Sequence, residues 1–152
     1  MATLVFDIET SALPVENFDA TQQEYLFREA DKLTDEAAKT AKREEITRFM
    51  SLWPFTSQVV CIAMLNAESG RGQSLFVADD FEEVEAENAE VKFIPCADET
   101  ELLTQFWEVA KKYDHIVTFN GRGFDVPFIY LRSALLNVPI SKKNWLGYRY
   151  AV

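Results

Sequence analysis

The sequence lacks several features that mark whole classes of protein. It has no apolar run of about 18 residues, so it predicts no membrane-spanning helix. A single histidine, two cysteines and the lack of a Cys-x-x-Cys pair argue against structural zinc sites. The amino terminus has no charged-then-apolar secretion segment. We therefore expect Cys61 and Cys96 to be small buried hydrophobic residues in a reducing cytoplasm.

Positive charge is also scarce. The net charge is −10 at pH 7, whereas proteins that hold nucleic acid by bulk electrostatics are normally basic. The acids are unevenly placed, since seven of them lie in 79–90 and none follows Asp125. Four basic residues make the segment after Asp125 +4. An anionic ligand is expected to approach that segment. Alternatively, these basic residues are simply exposed to solvent on a helix and a loop.

The apolar content is enough for a core, because 48% of the 152 residues are hydrophobic and 12 are phenylalanines. The hydrophobic patterns predict an α/β fold with a mixed sheet and helices on its faces. Strands are predicted at 3–6, 58–65, 73–77, 91–94, 115–119 and 145–152, and helical segments at 21–50, 98–112 and 123–136. The first helical segment predicts one long helix or two shorter ones with a break near Thr34. Asp19 and Asp98 each predict a capping box.

The first motif is Asp7-Ile8-Glu9-Thr10, which directly follows a short apolar strand. Carboxylates spaced i, i+2 on a strand point to the same face. Like charges held that close repel each other unless a proton or a cation lies between them. We therefore take Asp7 and Glu9 as candidate ligands of magnesium or manganese. The alternative is a strand end that carries two solvated acids.

The second motif runs from Asn120 to Asp125, just after a predicted strand. Gly121 and Gly123 do not have the spacing of a phosphate-binding loop, and they predict a tight turn with close backbone approach. Asp125 lies at a predicted helix start, where a helix cap is the alternative to a functional role. His115 is interpreted as a structural or surface residue.

Together, the two motifs resemble the DEDD exonucleases, and most closely the proofreading 3′–5′ exonuclease domain of B-family DNA polymerases. The resemblance implies a ribonuclease H-like mixed sheet of order 3-2-1-4-5, with the first strand central. It also implies a single domain over residues 1–152, with a helical insertion at about 19–50 after the first strand.

The resemblance further implies a site with two divalent metal ions, Mg²⁺ or Mn²⁺, acting on a phosphodiester. By motif match, Asp7 would bridge both ions, Glu9 would hold the ion that activates water, and Asp125 would support the second ion. These three residues are the predicted catalytic and metal-binding set.

Four more residues match substrate-binding positions of the same motifs. Ile8 and Thr10 would approach the terminal nucleotide, and Asn120 and Phe124 would line the same cleft. The Phe124 ring is suited to stacking on an unpaired base, but core packing is an open alternative. The implied substrate is a single-stranded nucleic acid, DNA rather than RNA.

The chain departs from the family in one respect. The third motif, Tyr-x-x-x-Asp or His-x-x-x-Asp, supplies the fourth acidic ligand, and no Asp or Glu follows Asp125. We therefore expect the carboxyl-terminal part of the domain to be missing, little nuclease activity from these residues, and self-association through exposed apolar surface. Two other interpretations stay open: an inactive ribonuclease H-like module that binds nucleic acid or a protein, and an unrelated α/β protein.

Overall fold

A computed structural model describes residues 2–80, 90–142 and 145–147 of the chain. The chain divides into two compact units. The first unit consists of Met1–Glu9 and Val59–Val152, and the second of Thr10–Gln58. The predicted helical insertion at 19–50 lies within the second unit. Most of the acidic segment 79–90 and the carboxyl-terminal half of the predicted last strand lie outside the described residues.

Five strands form one mixed sheet. They are β1 (Thr3–Ala12), β2 (Ser57–Asn66), β3 (Gly72–Val77), β4 (Val91–Cys96) and β5 (His115–Val117), in the order β4-β3-β2-β1-β5. β2 and β3 are antiparallel, as expected of the predicted hairpin, whereas β3–β4 and β1–β5 are parallel pairs. This order is compatible with the predicted order 3-2-1-4-5. In both orders the first strand lies between the second strand and a strand that follows a crossover connection, which here is β5, parallel to β1. β4 is an additional edge strand beside β3.

The predicted strand at 145–152 is wrong for its first three residues, which form a turn. Trp145 explains the difference. Its indole N–H donates to the Val126 carbonyl oxygen over 2.9 Å, and its ring lies 4.8 Å from the Trp107 ring. Tertiary packing of this large ring therefore overrides the β propensity of the aromatic-rich segment.

The described residues form four α-helices beside the sheet: α1 (Ala20–Asp31), α2 (Glu36–Phe49), α3 (Glu99–Ala110) and α4 (Asp125–Leu135). The two-helix interpretation of 21–50 is thus confirmed. The capping box at Asp19 is also confirmed, since Asp19 accepts from the Gln22 N–H and the Gln22 side chain accepts from the Asp19 N–H. The second box is only half formed: Asp98 accepts from the Glu101 N–H, but the Glu101 carboxylate accepts from the Ala97 N–H.

The core of the first unit lies between the sheet and its helices. Buried residues of β1 meet the apolar face of α3, which is amphipathic as predicted. An aromatic cluster fills its centre, and its members are Phe6, Phe106, Trp107 and Trp145. Ring centroids in this cluster are 4.8–6.0 Å apart, within the range of favourable aromatic pairs. The cluster fixes β1 against α3.

A buried ion pair joins three elements of the first unit. The Glu99 carboxylate at the start of α3 accepts from the Arg132 Nε over 2.9 Å and from its Nη2 over 2.6 Å. It also accepts from the Val59 backbone N–H in β2 over 2.8 Å. Glu99 and Arg132 are 6% and 7% exposed. The pair therefore ties α4 to α3 and to the sheet.

The second unit is built around α1 and α2. Phe27 and Ala30 of α1 are buried, and the Arg43 guanidinium of α2 lies 4.6 Å from the centre of the Phe27 ring. Arg43 also pairs with Asp31 over 2.8 Å at the surface. Within the described ranges, none of the helices combines the length and apolarity needed to cross a bilayer.

Candidate active site

The carboxylates of the first motif project from one face of β1. Leu4, Phe6 and Ile8 alternate into the core, whereas Asp7 and Glu9 are exposed. The period-two alternation of a strand produces this separation. The prediction that Asp7 and Glu9 share a strand face is confirmed.

The second motif reaches the same end of the sheet through a tight turn. β5 runs parallel to β1, with Val117 paired to Val5, so the chain leaves β5 beside the part of β1 that carries Asp7. Asn120 has φ +51°, and its carbonyl oxygen accepts from the Gly123 N–H over 2.8 Å. A Cβ on Gly121 would lie 1.8 Å from the Thr118 Cγ2. The predicted close backbone approach at this glycine is confirmed.

Asp125 is the first residue of α4 and is 2% exposed. The N-cap position belongs to Phe124, which makes no capping hydrogen bond with its side chain. Asp125 is therefore not the helix cap that the sequence offered as its alternative role. Its placement at the helix start directs a buried carboxyl toward β1.

The electrostatic surroundings of Asp125 connect the two motifs. Burial raises the pKa of the Asp125 carboxyl, and the charge of Asp7 raises it further. Its own backbone N–H, the Thr118 hydroxyl and the Ile8 backbone N–H lower that pKa, but burial has the largest effect. The structure thus brings Asp125 within electrostatic reach of Asp7 and beside the backbone of Ile8.

The donor chemistry of this region fits a hard divalent cation. In the described part of the chain, Asp7, Glu9 and Asp125 form no salt bridge. The Thr118 Oγ1 is buried and has no hydrogen bond of normal geometry to a described residue. Among those residues, however, no three His, Cys, Asp or Glu side chains converge closely enough to hold an ion. The structure therefore brings Asp7 and Asp125 near each other, and the predicted three-ligand set stays a prediction.

The predicted substrate-binding residues lie in different environments. The Ile8 side chain is buried in the core, so its backbone alone can face a ligand. The Thr10 hydroxyl, in the second unit, donates to the Ser51 carbonyl oxygen over 2.7 Å. Asn120 is exposed at the turn, while the Phe124 ring packs 5.2 Å from Phe128. The Phe124 ring is thus partly buried against the core, and its predicted stacking on a base stays a prediction.

A cleft of about 800 Å³ opens beside this turn. The side chains that line it include Thr118, Asn120, Arg122, Lys142 and Trp145. Thr118, Arg122 and Lys142 were not among the predicted site residues. Lys142 alone had a sequence signal, because it belongs to the basic carboxyl-terminal segment predicted to meet an anion. The cleft gives the turn of the second motif a concave, partly basic surface.

The raised pKa of Asp125 predicts how stability depends on pH. A carboxyl whose pKa is raised by folding stabilises the fold when protonated, and this contribution is lost as the pH rises through the folded-state pKa. Asp125→Asn is therefore expected to raise the urea midpoint at pH 7 and to change it little near pH 4. The exposed Asp114→Asn is the matched control and should change neither value. A lower midpoint for Asp125→Asn at pH 7 would contradict this assignment.

Comparison with known proteins agrees with the motifs. Residues 1–147 match the family described as DNA polymerase family B, exonuclease domain. A stretch of 39 residues is 44% identical to DNA polymerase 1 of Sulfolobus acidocaldarius and 46% identical to DNA polymerase 1 of Sulfurisphaera ohwakuensis. Each match covers 26% of this chain and 4% of the relative.

Among solved structures, the chain is similar to the family B DNA polymerase of the hyperthermophilic archaeon Pyrobaculum calidifontis. The TM-score is 0.45 at 20% identity, over 91% of this chain and 12% of the polymerase. The chain thus spans only a small fraction of the relatives that it matches, whereas the family match extends over nearly all of it. The chain belongs to the family of exonuclease domains of DNA polymerase family B.

Proposed function

We propose that the chain carries the metal-binding acids of a 3′–5′ exonuclease that removes nucleotides from the 3′ ends of single-stranded DNA with Mg²⁺ or Mn²⁺. Family membership supports a 3′–5′ exonuclease-type nuclease. The single observation that supports the metal site is the approach of Asp125 to Asp7, from α4 and β1, with burial and like charge raising the pKa of Asp125.

The acids of both motifs share one role in this proposal. Asp7, Glu9 and Asp125 would hold the ions. Divalent ions, when bound, activate water and stabilise the departing oxygen of a phosphodiester. The exposed carboxylates of Asp7 and Glu9 face the solvent from which substrate arrives, while the buried Asp125 sits on a helix start. Each acid is thus positioned by a regular element, which limits its freedom to move.

Asn120 has a different role, because it carries no charge. Its positive φ places it at the tip of the turn, on the wall of the cleft. An exposed amide offers both donors and an acceptor, which suits hydrogen bonding to a nucleotide base or phosphate. We assign Asn120 to substrate positioning rather than to metal binding.

The proposal also includes weak activity for these 152 residues. No Asp or Glu follows Asp125, so the sequence supplies three of the four acids of the family pattern. A two-metal site that loses one acid holds at least one ion less tightly and lacks the partner that orients the attacking water. We expect metal binding without rapid DNA hydrolysis.

Calorimetric titration with Mn²⁺ tests the site. The chain is expected to bind Mn²⁺, and Asp7→Ala is expected to weaken binding by at least about 100-fold, because loss of residues that merely support metal ligands already costs 10–100-fold. Asp114→Ala removes an exposed carboxylate from the same unit and should leave the affinity unchanged. Equal affinities for the chain and for Asp7→Ala would contradict the proposed site.

A second measurement separates binding from catalysis. Single-stranded DNA labelled at its 5′ end is incubated with the chain and Mg²⁺, and shortening is followed on a denaturing gel. Little shortening is expected. Rapid loss of nucleotides from the 3′ end would overturn the assignment of weak activity while supporting the family chemistry.

A further inference from the structure

A second pocket lies at the end of the sheet where β1 begins, away from Asp7 and Glu9. Its volume is about 380 Å³. Leu4 of β1, the end of β2 and the starts of β3 and β4 form its walls, and Tyr113 closes one side. All of these residues belong to the first unit. The pocket has no lining residue in common with the cleft beside the candidate active site, and it includes none of Asp7, Glu9 and Asp125.

The pocket carries two cations that have no counter-charge among the described residues. Arg71 and Lys92 line it, and neither forms a salt bridge or a side-chain hydrogen bond with a residue that the structure describes. No described Asp or Glu is part of the pocket wall. The whole chain has a net charge of −10, so a pocket whose described charged residues are both basic differs from the rest of the protein. Such a pocket favours an anion.

The strand register brings the polar side chains of the pocket together. Gln73 of β3 is paired with Lys92 of β4. Arg71 immediately precedes β3 and lines the same pocket. The guanidinium, ammonium and amide groups therefore come from neighbouring positions at the start of β3 and β4.

A hydrogen-bond network adds a neutral donor. The Asn66 Oδ1 accepts from the backbone N–H groups of Glu68 and Ser69 over 3.0 and 2.8 Å, which fixes the orientation of its amide. The Asn66 Nδ2 then donates to the Tyr113 hydroxyl oxygen over 3.3 Å. Because the phenol oxygen is the acceptor in this bond, the Tyr113 O–H hydrogen is available for another acceptor.

We propose that this pocket binds a phosphate group, carried by a small phosphate monoester or by a nucleic acid strand. A phosphate presents several oxygens in tetrahedral directions, which match a guanidinium, an ammonium and a phenol that approach from different elements. A phosphate offers these donors more acceptor oxygens and more negative charge than a carboxylate does. The site goes beyond the proposed exonuclease function and does not depend on it.

Calorimetry with the metal chelated by EDTA tests the proposal. Three probes are titrated into the whole chain: inorganic phosphate, a nucleoside 5′-monophosphate and a single-stranded oligonucleotide. Arg71→Gln and Lys92→Gln are each expected to weaken binding by about tenfold, since charge-assisted hydrogen bonds are the strongest that each donor makes. Tyr113→Phe keeps the ring and should weaken binding by about threefold. Arg48→Gln, an equal change of charge in the second unit, should have no effect.

The three probes identify the source of the phosphate. If the variants weaken the binding of the monophosphate, the ligand is a small molecule. If they weaken the binding of the oligonucleotide alone, the ligand is a nucleic acid strand. Both results support a phosphate site. The proposal is overturned if no probe gives saturable binding, or if Arg71→Gln and Lys92→Gln bind every probe like the unmodified chain. Asp7→Ala should bind phosphate normally, so failure of the metal site would be recognised separately.

Discussion

Replacing Phe106 with alanine is expected to lower the free energy of unfolding by about 3–5 kcal/mol. The Phe106 side chain is fully buried, and its ring centroid lies 5.3 Å from that of Phe6, 5.1 Å from Trp107 and 5.8 Å from Trp145. Truncation removes the transfer free energy of the ring and leaves a cavity among three rigid aromatic neighbours, which cannot collapse easily.

Urea unfolding followed by tryptophan fluorescence measures this effect. Phe119→Ala is the matched control, because the same atoms are removed from a side chain that is 91% exposed, and its cost should stay below about 0.5 kcal/mol. Phe106→Leu keeps most of the volume and should cost less than half as much as Phe106→Ala. Similar midpoints for Phe106→Ala and Phe119→Ala would show that the aromatic cluster is not the centre of the core.

Replacing Arg132 with methionine is expected to cost about 3–5 kcal/mol, because it leaves the buried Glu99 carboxylate without its cation. The Val59 N–H would remain as its donor, which does not compensate a full charge. The double variant Glu99→Gln, Arg132→Met should recover part of the loss, since a neutral amide costs less to bury than an unpaired carboxylate. Thermal and urea unfolding at pH 7 measure both steps.

An exposed pair provides the control for this result. Lys42 and Glu45 of α2 lie 3.0 Å apart with side chains 39% and 44% exposed, so Lys42→Met should cost no more than about 1 kcal/mol. If Arg132→Met were as mild as Lys42→Met, the Glu99–Arg132 pair would not stabilise the fold. If the double variant were less stable than Arg132→Met alone, the unpaired charge would not be the cause of the loss.

Local features of the fold follow from the sequence. The alternation in β1 and the capping residue Asp19 act over two to four neighbouring positions, and both predictions are confirmed. The turn at Gly121 is equally local, because the steric limit at the missing Cβ is set by Thr118, three residues away. The interacting residues in these features are close together in the sequence, so a local sequence pattern can predict the geometry.

Long-range features did not follow from the sequence patterns. Glu99 and Arg132 are 33 residues apart, and no local pattern in the sequence pairs them. Trp145 leaves its predicted strand because Trp107 and Phe106 attract its ring. The approach of Asp125 to Asp7 was implied only by the family resemblance, since neither motif alone specifies its partner. In each case the deciding contact joins residues distant in the chain.

The alternation of β1 places core packing and the acids of the candidate site on the same strand. Leu4, Phe6 and Ile8 supply core contacts, and Asp7 and Glu9 between and beyond them supply the carboxylates. A one-residue insertion or deletion within this strand would exchange the two faces, directing acids into the aromatic cluster and apolar side chains toward solvent. A shift in register that removes the acidic face therefore also removes the core contacts of β1. A chain with the wrong register at this site is thus not expected to fold stably.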